Sequence, residues 1–300
     1  MLMRKAAHAA KHISAKEAAS HIKLLNREIS RGDIGCLLLA EYFVAALPPL
    51  DQASSFIGIA DTIARQSLFF LFAIFVAAKR FWLSNHTVRP SKIDIANALI
   101  GTLLFSIVCF FGVEQIAGLV LTLVIAVFLL NGVKDKNFRS ALLVCLALAI
   151  NSFWGPLIFQ TFTSQIIAFD SGLLEWAYGI LRPDILAQGP NFRSSTGFGI
   201  VIVGVCSVFN SASVAFLAST AIGQYVRPGL SNRDVIVIAV VLIIMVLINT
   251  CRLMLMGWSP SLFEYWHNGN GGHVIALTQT VIIAVAATVG AIWAARKRSW

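Results

Sequence analysis

The sequence predicts an all-α membrane protein, a polytopic bundle of about eight transmembrane helices with a small outer-face hairpin before Cys206. Composition, apolar runs and the placement of charge lead to this prediction. The chain is 58% hydrophobic and 12% charged, with a mean hydropathy of +0.80. A soluble domain carries roughly 25% charged side chains. This composition argues against a water-soluble fold.

The apolar runs are long enough to cross a hydrocarbon layer roughly 30 Å thick. They lie at 36–50, 66–83, 94–113, 115–133, 140–161, 206–225, 234–256 and 273–295. We expect each run to form one membrane crossing. Little chain remains for a soluble domain, so we predict a single multi-pass transmembrane domain over 34–300.

Residues 1–33 are more polar than the rest of the chain. They form a basic amphipathic pattern that is too polar to span a membrane and has no compact apolar core of a cleaved signal peptide. We place this segment on the cytoplasmic surface.

The basic residues predict the orientation of the bundle. If the chain starts inside, 19 of the 23 Lys and Arg residues fall on the cytoplasmic side, and the other side holds only Arg65, Arg182, Arg193 and Arg252. Such a bias fixes orientation in membranes. Both termini are therefore predicted to be cytoplasmic, in a cell inner membrane, and the net charge of +9 is attributed to orientation and not to a nucleic-acid partner.

Local signals support this arrangement. Ser91 with Asp94, and Ser231 with Asp234, have the spacing of capping boxes just before predicted helices. The connection from 162 to 205 contains an amphipathic stretch, then a polar glycine-rich stretch, then a β-branched run. We predict a small hairpin over 186–205, buried in protein because lipid cannot satisfy its backbone.

Cys206 follows the predicted hairpin directly. It therefore stands at or next to the N-terminus of a helix that runs inward to Arg227. The helix dipole stabilises a thiolate at this position, which is the usual physical basis of a reactive cysteine. Asn210 and Ser213 lie four and seven residues further on, so they share a helical face with Cys206.

Arg252 and His267 are expected at the same depth as Cys206. Arg252 lies 18 residues after Asp234, roughly 27 Å along a helix. Asn249 shares its face and is expected to orient the guanidinium, whose donors suit an anionic oxygen. His267 follows in the next outer loop, where an imidazole is a natural base for a thiol.

Each of these residues also has an ordinary structural interpretation. A cysteine in an apolar helix is commonly a packed small residue, and we expect this of Cys36, Cys109, Cys145 and Cys251. The odd count of five cysteines shows no paired spacing of a disulfide framework. Arg252 could be an interfacial anchor, and Glu264, His267 and His273 could in principle ligate zinc, although the spacing matches no metalloprotease helix. We expect no metal and no cofactor.

The three motifs together resemble the exosortase/archaeosortase family of membrane thiol transpeptidases. CSVFNS at 206–211 is similar to the family's Cys-Ser-Gly/Ser-x-x-Ser pattern. Asn249 and Arg252 match its Asn-x-x-Arg pattern, and His267 and Gly271 match its His-x-x-x-Gly pattern. The resemblance covers roughly 185–275. Val208 departs from the pattern, because the family commonly has a small residue there.

The resemblance implies an enzyme that cleaves C-terminal sorting tails of exported proteins, each made of a motif, a transmembrane helix and a basic cluster. It implies that Cys206 attacks the scissile carbonyl at the outer or periplasmic face, that Arg252 steadies the oxyanion and that His267 moves the proton. His273 is a second candidate for the histidine role. The partners would be tailed proteins, membrane lipids and a lipid or other amine acceptor, and the supporting residues would be Ser207, Asn210, Ser211, Asn249 and Gly271.

Two other functions remain open at this point. A non-enzymatic membrane transporter or polysaccharide-export component would use a buried arginine and an irregular segment as a substrate site. It predicts polar groups near mid-membrane, whereas the polar groups of this sequence cluster at the outer rim. An intramembrane protease that only hydrolyses would use the same residues and differ in the acceptor.

Overall fold

The computed structural model describes residues 30–46, 67–84, 90–110, 114–130, 134–195 and 197–296. Within this part, helix accounts for 82% and strand for 5%, so the predicted all-α character is confirmed. The predicted amphipathic segment 1–33 lies almost entirely outside the described residues.

The helices follow the apolar runs of the sequence. They are α1 (Arg31–Ala46), α2 (Leu68–Trp82), α3 (Lys92–Phe110), α4 (Glu114–Leu130), α5 (Lys136–Ala149), α6 (Gly155–Thr161), α7 (Thr163–Leu181), α8 (Val208–Val226), α9 (Asn232–Trp258), α10 (Pro260–Phe263) and α11 (Asn270–Ala295). A π-helical turn, Ile150–Trp154, joins α5 to α6, and another, Glu264–Asn268, follows α10.

Three helical segments of the described part are long and apolar enough to cross a membrane. They are Lys136–Thr161, Asn232–Trp258 and Asn270–Ala295. A shorter apolar helix covers Gly118–Leu130. Parts of the predicted runs 36–50, 66–83, 94–113 and 115–133 fall outside the described residues, and the number of crossings, about eight, stays a prediction.

Both predicted capping boxes are confirmed. The backbone N–H of Ser91 donates to Asp94 Oδ2 at 2.9 Å, and the N–H of Asp94 donates to Ser91 Oγ at 3.1 Å. At the start of α9, the N–H of Ser231 donates to Asp234 Oδ2 at 2.7 Å. These bonds satisfy backbone donors that have no partner within the helix, so the local sequence determines where α3 and α9 begin.

The predicted hairpin before Cys206 is present, with one additional strand. Strands β1 (Ile185–Gln188), β2 (Asn191–Ser194) and β3 (Gly199–Val201) form an antiparallel sheet in the order β1-β2-β3. Gly189 connects β1 to β2 with φ of 61°, a conformation that glycine adopts without steric cost.

The β-branched run after β3 is not a continuous strand. It was expected to remain extended to Val205, but β3 ends at Val201 and a 3₁₀ turn occupies Gly204–Cys206. The chain passes close to α6 here, since a Cβ at Gly204 would lie 2.7 Å from the Phe159 ring. This close approach, which strand propensity does not encode, turns the chain into α8.

Helix α8 is the centre of the bundle. Its residues Ala215 and Ala218 pack with side chains of α9 and α11, and its residues Leu217 and Ala221 pack with side chains of α2 and α5. These alanines are fully buried, and small side chains let neighbouring helices approach closely. The N-terminal end of this central helix carries the candidate site.

Candidate active site around Cys206

Cys206 lies at the junction between the sheet and the central helix. It is the last residue of the 3₁₀ turn, and Ser207 is the N-cap of α8, accepting a hydrogen bond from the Phe209 N–H at 3.2 Å. The predicted position next to a helix N-terminus is therefore confirmed. Cys206 is only 5% exposed, so its sulfur is held within the protein.

Asn249 fixes the peptide group of Cys206. Its Nδ2 donates to the Cys206 carbonyl oxygen at 3.1 Å, and Asn249 itself is 2% exposed. The sequence suggested that Asn249 would orient Arg252, but the structure shows its amide bonded to the backbone of the other motif. A carbonyl at the end of a 3₁₀ turn needs a donor when it is buried, and Asn249 supplies it.

Cys206 and His267 line the same pocket. This pocket, of about 130 Å³, is also lined by Ile200 of β3, Met256 of α9 and Phe263 of α10. The structure therefore brings together two of the three predicted catalytic residues from segments 61 positions apart in the chain. A pocket of this size suits part of an extended ligand and not a complete cofactor.

His267 lies in the π-helical turn Glu264–Asn268 that follows α10. Its imidazole stacks on the ring of Phe263, with centroids 4.9 Å apart and planes at 11°, and remains exposed. Gly271 follows at a position where a Cβ would lie 2.7 Å from the Tyr265 carbonyl oxygen. The glycine is therefore required by close backbone packing, which explains its place in the motif without a ligand contact.

Arg252 does not line the pocket. It precedes the pocket residue Leu253 on α9, and it is partly buried. Its Nε is buried and has no hydrogen-bond partner among the described residues. A buried donor that is left unpaired is costly, and the Arg252 Nε is therefore a candidate donor to a ligand.

The other predicted site residues that the structure describes do not line the pocket of Cys206. The Ser211 hydroxyl donates to Gln279 Oε1 of α11 at 3.5 Å, a contact between helices. The side chain of Asn210 lies outside the described part. His273 is exposed on the first turn of α11 and does not line the pocket of Cys206, whereas His267 does.

Helix α7 supplies residues that the sequence did not assign to the site. Its Tyr178 hydroxyl donates to the Met254 carbonyl oxygen at 2.8 Å, and Arg182, just after α7, lies over the Trp258 ring at 4.8 Å. These contacts place α7 along the last turns of α9. The buried positions 170, 174 and 178 recur at helical spacing, a signal already visible in the amphipathic stretch.

Asp170 is a buried acidic residue of α7. It is 3% exposed. Burial raises the pKa of its carboxyl group, and the Ser207 side chain and the Val208 backbone N–H offset part of that rise by hydrogen bonding. The Oδ2 atom of Asp170 has no hydrogen-bond partner among the described residues.

An apolar groove of about 710 Å³ lies between α9 and α11, away from the thiol. Its walls include Val240, Val285 and Trp293, which are exposed. It follows the first half of α9, whereas Arg252 is near the end of that helix. We assign the groove to the surface that is expected to face lipid.

Among the described residues, no group of three or more His, Cys, Asp or Glu side chains is arranged to hold a metal ion. Comparison with family models, with curated proteins and with solved structures finds no match. The site therefore has to be interpreted from its own geometry.

Proposed function

We propose that the protein is a membrane-embedded cysteine transpeptidase or endopeptidase that cleaves C-terminal tails of exported proteins at the outer face of the bundle. One observation carries this proposal: Cys206, at the start of the central helix, shares a pocket with His267. The buried Nε of Arg252, which has no hydrogen-bond partner among the described residues, supports it. About eight crossings and cytoplasmic termini belong to the same proposal.

The first half-reaction forms a thioester. His267 takes the thiol proton, and the Cys206 sulfur attacks the carbonyl carbon of the scissile peptide bond. The negative charge moves to the carbonyl oxygen, where Arg252 donates hydrogen bonds to it. The carbon–nitrogen bond then breaks, and His267 returns the proton to the leaving amine of the tail.

The second half-reaction regenerates the thiol. An amine of a lipid or another acceptor, or water, attacks the thioester carbonyl, and the carbon–sulfur bond breaks. The proton of the incoming nucleophile passes through His267 to the Cys206 sulfur. The acceptor decides whether the overall reaction is transpeptidation or hydrolysis, and the same residues serve both.

The proposal is tested by co-expressing the chain with a tailed substrate and following tail removal. We expect Cys206→Ala to abolish processing and Cys251→Ala to leave it unchanged, because Cys251 is exposed on the neighbouring helix and is absent from the pocket lining. Equal processing by wild type and Cys206→Ala would reject the enzymatic function. Loss of processing only in Cys251→Ala would show that Cys251, and not Cys206, is the nucleophile.

A transporter is favoured by one separate observation. Glu41 of α1 is 8% exposed, and both its Oε1 and the Oγ1 of Thr102 on α3 are buried without a hydrogen-bond partner among the described residues. Unpaired polar groups inside predicted crossings are typical of ion or proton paths. Proton or ion flux in reconstituted vesicles that disappears in Glu41→Gln, with Cys206→Ala unaffected, would support this second function.

A further inference from the structure

Strand β3 forms one edge of the small sheet. The strand order is β1-β2-β3, and among the described residues no strand pairs with the other side of β3. An edge strand presents N–H and C=O groups to which another extended segment can bond. Proteins commonly protect such edges with charged residues or proline, but residues 198–203 contain neither. The edge of β3 is therefore not protected by its own sequence.

The register of the sheet shows which backbone groups of β3 face this edge. The Ile202 N–H donates to the Pro190 carbonyl oxygen at 2.9 Å, so Ile202 faces the β2 side of the ladder. Hydrogen-bonded and non-hydrogen-bonded pairs alternate along an antiparallel ladder. Val201, one residue earlier, and Gly199, two residues before that, are therefore in non-hydrogen-bonded pairs with β2. Their N–H and C=O groups point away from β2.

The pocket of Cys206 and His267 lies along the same edge. Five consecutive residues, 199–203, contribute to its lining. Successive side chains of a strand point to opposite faces of the sheet, so a pocket that touches all five residues follows an edge of the strand. The other edge of β3 is paired with β2. The pocket therefore follows the free edge, and Cys206 lies three residues further along the chain.

The rest of the pocket lining is helical. Besides His267, it comprises the apolar side chains of Leu253 and Met256 from α9 and of Phe263 from α10. A volume of about 130 Å³ suits a few side chains of one extended peptide and is too small for a folded domain. When a peptide adds to a sheet edge, hydrogen bonds of the main chain give the affinity. The outward groups of Val201 and Gly199 are of this kind.

We infer that the substrate segment next to the scissile bond binds as an additional strand on the free edge of β3. Its backbone exchanges hydrogen bonds with the N–H and C=O groups of Val201. The bound segment then follows the pocket to the sulfur of Cys206. The inference rests on the proposed function, which supplies the peptide, and it adds the conformation in which the peptide is held.

The first experiment removes one donor of this edge in the full chain. Val201→Pro deletes an N–H that takes no part in the ladder with β2, which is the position where an edge strand tolerates proline. We expect kcat/KM for tail cleavage to fall about fivefold, the factor that corresponds to one lost hydrogen bond. The loss should come from a higher KM, because the bond forms as the substrate binds.

Ala187→Pro in the opposite edge strand, β1, is the matched control. Ala187 pairs with Phe192, whose backbone bonds to β3, so the Ala187 N–H also points away from β2. Ala187 does not line the pocket of Cys206, and we expect kcat/KM to stay at the wild-type value. Wild-type kcat/KM in Val201→Pro, or an equal loss in both variants, would overturn the inference.

The second experiment requires neither proline nor cleavage. Hydrogen exchange of single amides is measured in Cys206→Ala with and without the tailed substrate. We expect the Val201 N–H to exchange at least about fivefold more slowly when the substrate is present, as one added hydrogen bond would give. The Ala187 N–H should exchange at an unchanged rate. No protection of Val201, or equal protection of both amides, would overturn the inference.

The two experiments separate this inference from the proposed function. If wild type cleaves the tail but the Val201 amide gains no protection, the inference fails and the proposed function stands. If wild type cleaves no tail, the proposed function fails. Protection of Val201 would then still support binding of the peptide at β3, and its absence would overturn that as well.

Discussion

Buried polar groups lie near both ends of the central helix α8. The arginine at the C-terminal end is hydrogen-bonded through each of its nitrogens, whereas, within the described part of the chain, the arginine near the N-terminal end is not. At the C-terminal end, Arg80 donates through Nε to the Gln224 carbonyl at 2.8 Å, through Nη1 to Asn137 Oδ1 at 3.0 Å and through Nη2 to the Tyr225 carbonyl at 2.9 Å. At the N-terminal end, Arg252 keeps a buried Nε without a partner among the described residues.

The difference is between an arginine with a structural role and one that we propose acts on a ligand. The Arg80 guanidinium donates through Nε and Nη2 to carbonyl groups at the end of α8, where cations are favoured by the helix dipole, and through Nη1 to Asn137 Oδ1 of α5. All three of its nitrogens are therefore engaged within the protein. Arg252, on α9 one turn after Asn249, has a buried Nε without a hydrogen-bond partner among the described residues, which is expected of a group that acts on a transient charge.

The largest expected effect is on catalysis by Arg252. Arg252→Ala should lower the rate of tail cleavage roughly 10²–10³-fold, as loss of an oxyanion donor does in other enzymes. The free energy of unfolding should change little, since the Arg252 Nε has no hydrogen-bond partner among the described residues. Single-turnover cleavage and thermal unfolding in detergent measure the two quantities. Arg193→Ala, an exposed arginine of β2, is the control, and equal losses in the two variants would contradict the assignment.

Arg80→Ala should show the opposite pattern. It leaves several buried acceptors unpaired, so we expect the free energy of unfolding to fall by about 3 kcal/mol. The cleavage rate per folded molecule should be unchanged. Denaturation in mixed micelles tests the first expectation, and activity normalised to folded protein tests the second. A stable but inactive Arg80→Ala would contradict the structural role of Arg80.

Gly257→Ala tests how α7 packs on α9. A Cβ at Gly257 would overlap the Tyr178 hydroxyl and lie 3.0 Å from Ile200 Cδ1, so α7 must move. We expect a destabilisation of about 1–3 kcal/mol, measured by thermal unfolding. Gly179→Ala is the control, because no atom lies within 4 Å of a Cβ at that position, and an equal loss there would show that the close contact is not the cause.

Tyr178→Phe should have the smallest effect. It removes the hydrogen bond from the Tyr178 hydroxyl to the Met254 carbonyl oxygen at 2.8 Å and leaves the ring in place. The expected loss is about 1 kcal/mol of unfolding free energy. Tyr265→Phe, at a residue that is 44% exposed, should be neutral. A neutral Tyr178→Phe would mean that apolar packing alone holds α7.

The sequence predicts those parts of the fold that depend on neighbours along the chain. The capping boxes at Ser91 and Ser231, the hairpin before Cys206 and the helix after it all follow from short spacings. The hydrogen bond from Asn249 to the Cys206 carbonyl oxygen does not. It joins residues 43 positions apart, and helical periodicity says which face is buried but not which helix covers it.

The same distinction between local spacing and contacts of distant segments applies to the candidate site. The motif order and the estimated depths predict that Cys206 and His267 meet, and the shared pocket agrees. Periodicity also indicates a buried face on 165–181, yet it does not show that this helix packs along the last turns of α9, where the Tyr178 hydroxyl donates to the Met254 carbonyl oxygen. Packing between distant segments decides that arrangement.

The central claim is that Cys206 is a nucleophile, and trapping its thioester tests this claim most directly. The chain and a tailed substrate are quenched during turnover, and the covalent adduct is mapped by mass spectrometry with and without hydroxylamine, which cleaves thioesters. We predict a hydroxylamine-sensitive bond between the cleaved substrate and Cys206, absent in Cys206→Ala. Tail cleavage with no adduct at Cys206, or with an adduct at another cysteine, would contradict the account.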